Sequence, residues 1–302
     1  MLTGSAPPWT STPDGESMST PTVCALTGST GYVGSTLASA LSSTMKVVPL
    51  TRRELNQDSI RWDLTSTSDI SDQLRGHKVD VLVHAAWDMR ANTLDELRRI
   101  AVVGSERLYA AAAQAGVKRT VFISTISAFE GCRSAYGRSK LEVEKMTRSR
   151  NGIVLRPGLV YGPTPGGMFG AIRSQIQRGG IIPLIGNGRA PQYLLHEDTL
   201  RSVVRRAVTG EFDSSAGEPI TVAHPQPWPF RDLVMKIAER EGRKVTLVPV
   251  PWPLLYAGLR SAEMLKLKLP VRSDSVISFI YQNPSPDFSK LSQYGIDPLP
   301  FE

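Results

Sequence analysis

Short, continuous apolar runs alternate with longer stretches of mixed character along this chain. Val23–Leu26, Val47–Leu50, Val79–Ala86 and Thr120–Ile123 are runs of four to eight residues bounded by turn-forming positions. Runs of that kind read as strands buried on both faces of a parallel sheet. Ile60–Leu64 reads as a further short strand. Between the strands, Ser35–Leu41, Asp95–Ala115 and a segment opening at Tyr136 and running through Glu144 and Met146 carry helical spacing, and Gly116 stops the second of these. Alternation of this sort predicts an α/β fold with a doubly wound parallel sheet over residues 22–165. From residue 166 the pattern becomes irregular, with Gly179-Gly180, Gly186-Asn187-Gly188 and a late helix at Phe230–Glu241. Residues 166–302 are expected to form mainly a smaller C-terminal substrate-binding lobe that closes over the carboxyl edge of the sheet, some segments returning to the core. The apolar stretch Val248–Tyr256 reads as core between the two parts in preference to the lining of an apolar pocket.

Composition narrows the classes. Residues 1–21 are rich in Ser, Thr and Pro and have neither a basic n-region nor an apolar h-region, so they read as a disordered tail and not a secretory signal; Met18 is an alternative start. No run of about 18 apolar residues is present, so no membrane span or membrane partner is expected. Cys24 and Cys132 form no metal or CxxC spacing, which predicts free thiols in a reducing, cytoplasmic setting and no metal site. The net charge of +7 comes from dispersed residues with no basic block, which argues against nucleic acid and suits small polyanionic ligands as well as it suits a merely basic surface.

Candidate chemistry begins directly behind the first strand, at Thr27-Gly28-Ser29-Thr30-Gly31-Tyr32-Val33-Gly34. A strand, a glycine turn and a helix start in that order bring backbone N–H groups close to a pyrophosphate. Gly28, Thr30, Gly31, Tyr32, Val33 and Gly34 are therefore read as the cradle of a dinucleotide in a Rossmann-type fold. After the second strand the first charged residues are Arg52 and Arg53, where an acid would take a ribose 2′-OH and an arginine suits a 2′-phosphate. Arg52 thus favours NADP, with NAD still possible; solvated loop arginines are the plainer alternative. Asp63, followed by Leu64, stands where a side chain reaches an adenine amine, a turn or cap role being its other reading. Ala85 and Ala86 are small enough for a cofactor to lie against the sheet edge, and Trp87 after them is assigned to the substrate. His84 reads as a satisfied core histidine and not a base.

Thr120–Ile123 releases Ser124-Thr125-Ile126-Ser127 at a strand's carboxyl end, and Tyr136 and Lys140, four apart, share one helical face. For a phenol of pKa near 10 to work near neutral pH it must shift by roughly 3 units, about 4 kcal/mol. An ammonium on the same face, with help from cofactor charge, is expected to supply much of that.

Taken with His84-Ala85-Ala86 and Arg156-Pro157-Gly158-Leu159-Val160-Tyr161-Gly162-Pro163, these motifs resemble the extended short-chain dehydrogenases/reductases, the NAD(P)-dependent epimerase/dehydratase family, over roughly residues 22–300. The resemblance implies a catalytic triad of Thr125, Tyr136 and Lys140. Thr125 is chosen over Ser124 and Ser127 because the family's reactive hydroxyl lies four before an aromatic, here Phe129. It also implies cofactor contacts from Tyr136, Lys140, Pro157 and Val160. Ile126-Ser127 stand where family dehydratases carry Asp-Glu, which disfavours dehydration, and Ala101 stands where an Asn is usual. Arg189 and Arg272 are the candidates for a substrate diphosphate. The implied activity is keto-sugar reduction or epimerisation of a nucleotide sugar by a homodimer pairing through the Asp95–Ala115 and Ser139–Arg150 helices. Reduction of a steroid-like or phenolic carbonyl compound, or non-catalytic NADP sensing, are the alternatives.

Overall fold

Val23–Thr27 (β1) is buried at all five positions, as a central parallel strand with helices on both faces requires. In the computed structural model, which describes residues 22–53, 57–89, 91, 93–164, 166–265, 267 and 271–302, β1 leads into a regular α/β alternation. The tail expected over residues 1–21 lies outside the described residues. The chain continues through α1 (Tyr32–Leu41), β2 (Lys46–Thr51), β3 (Ile60–Arg61), α2 (Ser71–Gly76), β4 (Val81–His84) and α3 (Leu94–Leu97). A π-helical turn (Arg98–Val102) joins α3 to α4 (Val103–Gln114), before β5 (Arg119–Ile123), α5 (Ala135–Arg148), β6 (Ile153–Pro157) and β7 (Leu159–Tyr161). The second half holds α6 (Gly167–Arg178), β8 (Gly180–Ile185), β9 (Pro191–Gln192), β10 (Leu194–His196), α7 (Glu197–Thr209) and β11 (Pro219–Val222). It ends with β12 (Trp228–Pro229), α8 (Phe230–Arg240), β13 (Val245–Val250), α9 (Trp252–Met264), α10 (Ser273–Ile280) and α11 (Ser289–Gln293).

Seven strands form one parallel sheet in the order β11-β6-β5-β4-β1-β2-β3. The order reverses between β1 and β4, so a crevice opens at their carboxyl ends, where such sheets bind ligands. Leu37 and Leu41 of α1 pack with Leu200 and Val203 of α7 on one face, and Leu108 and Ala112 of α4 with Val143 of α5 on the other. β11 returns from the second half to complete the sheet edge beside β6. A separate core joins Ile176 of α6, Ile182 of β8, Leu233 and Ile237 of α8, and Phe301.

Three expectations change. The strand expected over Val79–Ala86 is only Val81–His84, because the N–H groups of Ala85 and Ala86 leave the ladder and donate to Thr27 Oγ1, both at 3.0 Å. The third strand stops at Arg61, since Asp63 turns the chain by accepting the N–H of Thr65 at 2.6 Å. Val248–Tyr256 is not buried core: it runs from β13 into α9, with Val248 38% and Leu254 69% exposed.

Candidate active site

At the head of the crevice the glycines are required by space. Gly28 has φ +73°, and a Cβ there would sit 2.8 Å from the backbone N of Ala86. On Gly34 it would sit 1.9 Å from Gly28 O. Helix α1 begins on Gly31, whose N–H donates to Gly28 O at 2.9 Å; it has no side-chain cap and no acid in its first turn. The leading N–H groups of a helix have no intrahelical acceptors, so this terminus presents free donors and the positive end of the dipole. Ser29 Oγ, in the same turn, is buried with no partner among the described residues. An uncapped terminus, a cradle that a Cβ on Gly28 or Gly34 would fill and an orphaned hydroxyl fit a pyrophosphate. Thr30 is exposed at the lip, and half-buried Tyr32 and Val33 open the helix, the Tyr32 ring so close to Gly166 that a Cβ there would meet its Cδ2 at 2.2 Å.

His84 supports this cradle from below. Thr27 Oγ1 already accepts two N–H groups, so its proton goes to His84 Nδ1 at 2.7 Å. Ser105 Oγ donates to Ala101 O at 2.6 Å and therefore accepts from His84 Nε2–H at 2.8 Å. Both ring nitrogens are engaged, and burial, with the nearby Lys140 charge, pushes the imidazole down to about 3. The neutral ring ties the end of β1 to the end of β4. Ala101, standing in place of an Asn, lies in the π turn with its side chain fully buried.

At the other end of the crevice a cavity of about 530 Å³ is lined by Arg52, Arg61, Trp62, Asp63 and Thr65 among others. Asp63 Oδ1 accepts both the N–H (2.6 Å) and Oγ1–H (2.5 Å) of Thr65. The hydroxyl of Thr65 and, to a smaller extent, the charge of Arg52 hold this carboxyl below the ordinary range. Leu64 is buried, and its carbonyl is packed so closely under α4 that a Cβ on Gly104 would meet it at 2.3 Å. Arg61, which the sequence pattern does not single out, lines the same cavity, because parallel pairing of Thr51 with Arg61 brings it to the same sheet edge as Arg52.

The candidate reacting cluster lies where β5 ends and α5 begins. Ser124 Oγ donates to Glu144, a buried carboxylate that also accepts from Arg156 Nε (2.9 Å) and Nη2 (2.6 Å). Ser124 is thereby committed, whereas Thr125 faces Tyr136 as a hydrogen-bonding neighbour. The Tyr136 ring meets Trp87 edge-on at 6.1 Å, and Lys140 Nζ lies 4.1 Å from the Trp87 ring centroid. Lys140 is 2% exposed and donates to Ile123 O at 2.7 Å. Trp87 Nε1 is buried without a partner among the described residues, a donor left over beside the phenol.

The electrostatics differ from expectation. Burial pushes the Tyr136 phenol up to about 12, opposed by the Thr125 hydrogen bond and the charge of Arg272. Burial also pulls Lys140 down to about 7, opposed by Glu144. Desolvation disfavours both charged forms, and Arg272, brought from far along the chain, adds a cation that acts on Tyr136. Arg272 donates to Ala91 O. Arg189 is exposed in the turn after β8, its N–H on Asn187 Oδ1 at 3.0 Å. Pro157 ends β6, its carbonyl taking the N–H of Ile126 at 2.9 Å, and Val160 is buried in β7. No group of three His, Cys, Asp or Glu side chains among the described residues is arranged to hold a metal. Nor is any described helix long and apolar enough to cross a membrane.

A parallel sheet with a glycine cradle at its switch point, and a tyrosine and lysine on one helix beside it, define a nicotinamide-dependent α/β enzyme of Rossmann type. The chain belongs to the NAD dependent epimerase/dehydratase family, whose model matches residues 24–218. It is 25% identical to a UDP-glucose 4-epimerase of Vibrio cholerae over 257 residues, 75% of this chain and 78% of that one. It is 26% identical to a ceramide reductase of Caulobacter vibrioides over 251 residues, 78% of this chain and 76% of that one. Among solved structures, the UDP-glucose 4-epimerase of Thermotoga maritima with UDP-glucose superposes with a TM-score of 0.69 at 18% identity, covering 91% of this chain and 93% of that one.

Proposed function

We propose that this chain is an NADP(H)-dependent reductase or epimerase of a nucleotide sugar. The convergence of Thr125, Tyr136 and Lys140 beside the glycine cradle carries this reading. A nicotinamide bound in the crevice would supply or accept the hydride. Tyr136 Oη exchanges a proton with the substrate oxygen, while Thr125 Oγ1 hydrogen-bonds the same oxygen and keeps it in line with the phenol. Lys140, anchored on Ile123 O, fixes that face of α5 and, with Pro157 and Val160, borders the ring site. Arg52 and Arg61 support the 2′-phosphate of NADP, with Asp63 and Leu64 at the adenine. Trp87 and Arg272 border the substrate, Arg189 being a diphosphate ligand carried by the turn after β8. The outward faces of α4 and α5 would pair two copies into a homodimer, and two buried free thiols suit a cytoplasmic protein.

A second reading, reduction of an apolar carbonyl compound, is favoured by the similarity to a ceramide reductase and by exposed Leu254 on α9. A thermal-shift screen of UDP- and dTDP-sugars against steroids and phenolics with NADPH present separates the two. Stabilisation by the sugar nucleotides alone is the expected result; stabilisation by the apolar compounds alone replaces the first reading with the second.

A further inference from the structure

Helix α5 carries both Tyr136 and Lys140, and its first turn is closed partly from outside its own segment. Ser134, the N-cap, accepts the N–H of Gly137 at 3.1 Å, as a serine in that position should. The two donors ahead of it go elsewhere. Asp274, in the first turn of α10, accepts the N–H of Ala135 on Oδ1 at 2.8 Å and that of Tyr136 on Oδ2 at 3.0 Å. Arg138 N–H bonds Ser134 O at 3.0 Å, so every leading donor of α5 is satisfied.

The segment that delivers Asp274 is itself fastened. Arg272 donates to Ala91 O beyond β4, while the N–H and hydroxyl of Ser273 both donate to Glu263 of α9, at 2.8 and 2.7 Å. Residues 272–274 therefore bridge α9, the loop after β4 and the start of α5.

We propose that Asp274 is a positioning residue for Tyr136: its carboxylate fastens the first turn of α5 to α10, so the place of the phenol depends on how the C-terminal helices are docked. This rests on the reading of Tyr136 as the proton-exchanging group. A two-point carboxylate clamp defines the direction of the first turn as well as its hydrogen bonding, and small misplacements of a reacting group are costly. The clamp has an electrostatic side. The charged groups facing Tyr136 are Arg272 from the start of α10 and Lys140 one turn along α5; Thr125 and Trp87 face it as neutral groups. An anion at the start of α5 offsets the positive end of that helix dipole, which would otherwise favour the phenolate.

The test uses the full chain loaded with NADPH. Asp274→Ala removes charge and both acceptors; Asp274→Asn keeps the shape and one acceptor and guards against a variant that fails to fold. Amide exchange at residues 135–137 should accelerate about tenfold in Asp274→Ala while that of β1 stays put. NADPH affinity should stay within about twofold, since the α1 cradle is untouched. With substrate, kcat should fall about 10- to 100-fold in Asp274→Ala and less in Asp274→Asn, with KM little changed. The phenol titration, read as tyrosinate absorbance with Tyr136→Phe subtracted, should move down by about 0.2–0.7 unit in Asp274→Asn. That optical titration and the exchange data need no turnover, so they judge the clamp even where the proposed activity fails. Wild-type kcat in Asp274→Ala, or an unmoved phenol titration together with unchanged exchange at 135–137, would overturn the proposal.

Discussion

The N-terminus of α1 begins on Gly31 with no side-chain cap and no acid in its first turn, whereas that of α5 is closed by Ser134 from its own segment and by Asp274 from α10. Both follow a strand at the carboxyl edge of the same sheet, so the difference is not one of topology. An uncapped terminus forgoes about 1 kcal/mol of helix stability, which a ligand anion can restore on binding. A capped terminus has no donors left for a ligand and instead holds its side chains still. The first suits a phosphate site and the second a site where Tyr136 must meet a substrate oxygen.

Breaking the open terminus should have the largest effect on cofactor binding. In Gly34→Val the new Cβ would lie 1.9 Å from Gly28 O, so the turn must move out of the shape that receives a pyrophosphate. Dinucleotide affinity should fall about 100-fold or more, roughly 3 kcal/mol, measured by fluorescence titration with circular dichroism to verify the fold. Arg52 sharpens the picture at the far end of the crevice. A charge-assisted contact to a 2′-phosphate contributes about 1.5 to 3 kcal/mol, so NADPH should bind roughly 10- to 150-fold more tightly than NADH, and the two constants should converge in Arg52→Ala. Equal affinities in the unaltered protein would remove the arginine reading and return the balance to NAD. The smallest change is the most discriminating. Gly31→Asp gives α1 the acid cap it lacks at a position where a Cβ makes ordinary contact, 3.4 Å from Gly28 O. Thermal stability without cofactor should rise by up to about 1 kcal/mol while dinucleotide affinity falls. A rise or fall of both together would show that the open terminus has no ligand to serve.

The open terminus is legible in the sequence and most of the closed one is not. Glycines at 28 and 34 encode their own reason, because close approach, with a positive φ at Gly28, leaves no room for side chains. The tyrosine-lysine face follows from helical spacing alone. The surroundings that tune it come from elsewhere: Ile123 O and Phe122 from β5, Trp87 from beyond β4, and Arg272 and Asp274 from the last helices, Asp274 lying 139 residues from Ala135. Spacing says nothing about such partners. Hydrophobicity misleads at Val248–Tyr256 for a related reason. An apolar run predicts that something covers it, yet β13 and α9 leave Val248 and Leu254 at the surface.

The division of labour between the two termini is tested most directly by Tyr136→Phe. NADPH titration and turnover measured on the same preparation should separate: affinity within about twofold of the unaltered protein, turnover lower by about 1,000-fold. Unaltered turnover in Tyr136→Phe would contradict the assignment of proton exchange to Tyr136, and a parallel loss of NADPH affinity would contradict the separation of binding at α1 from chemistry at α5.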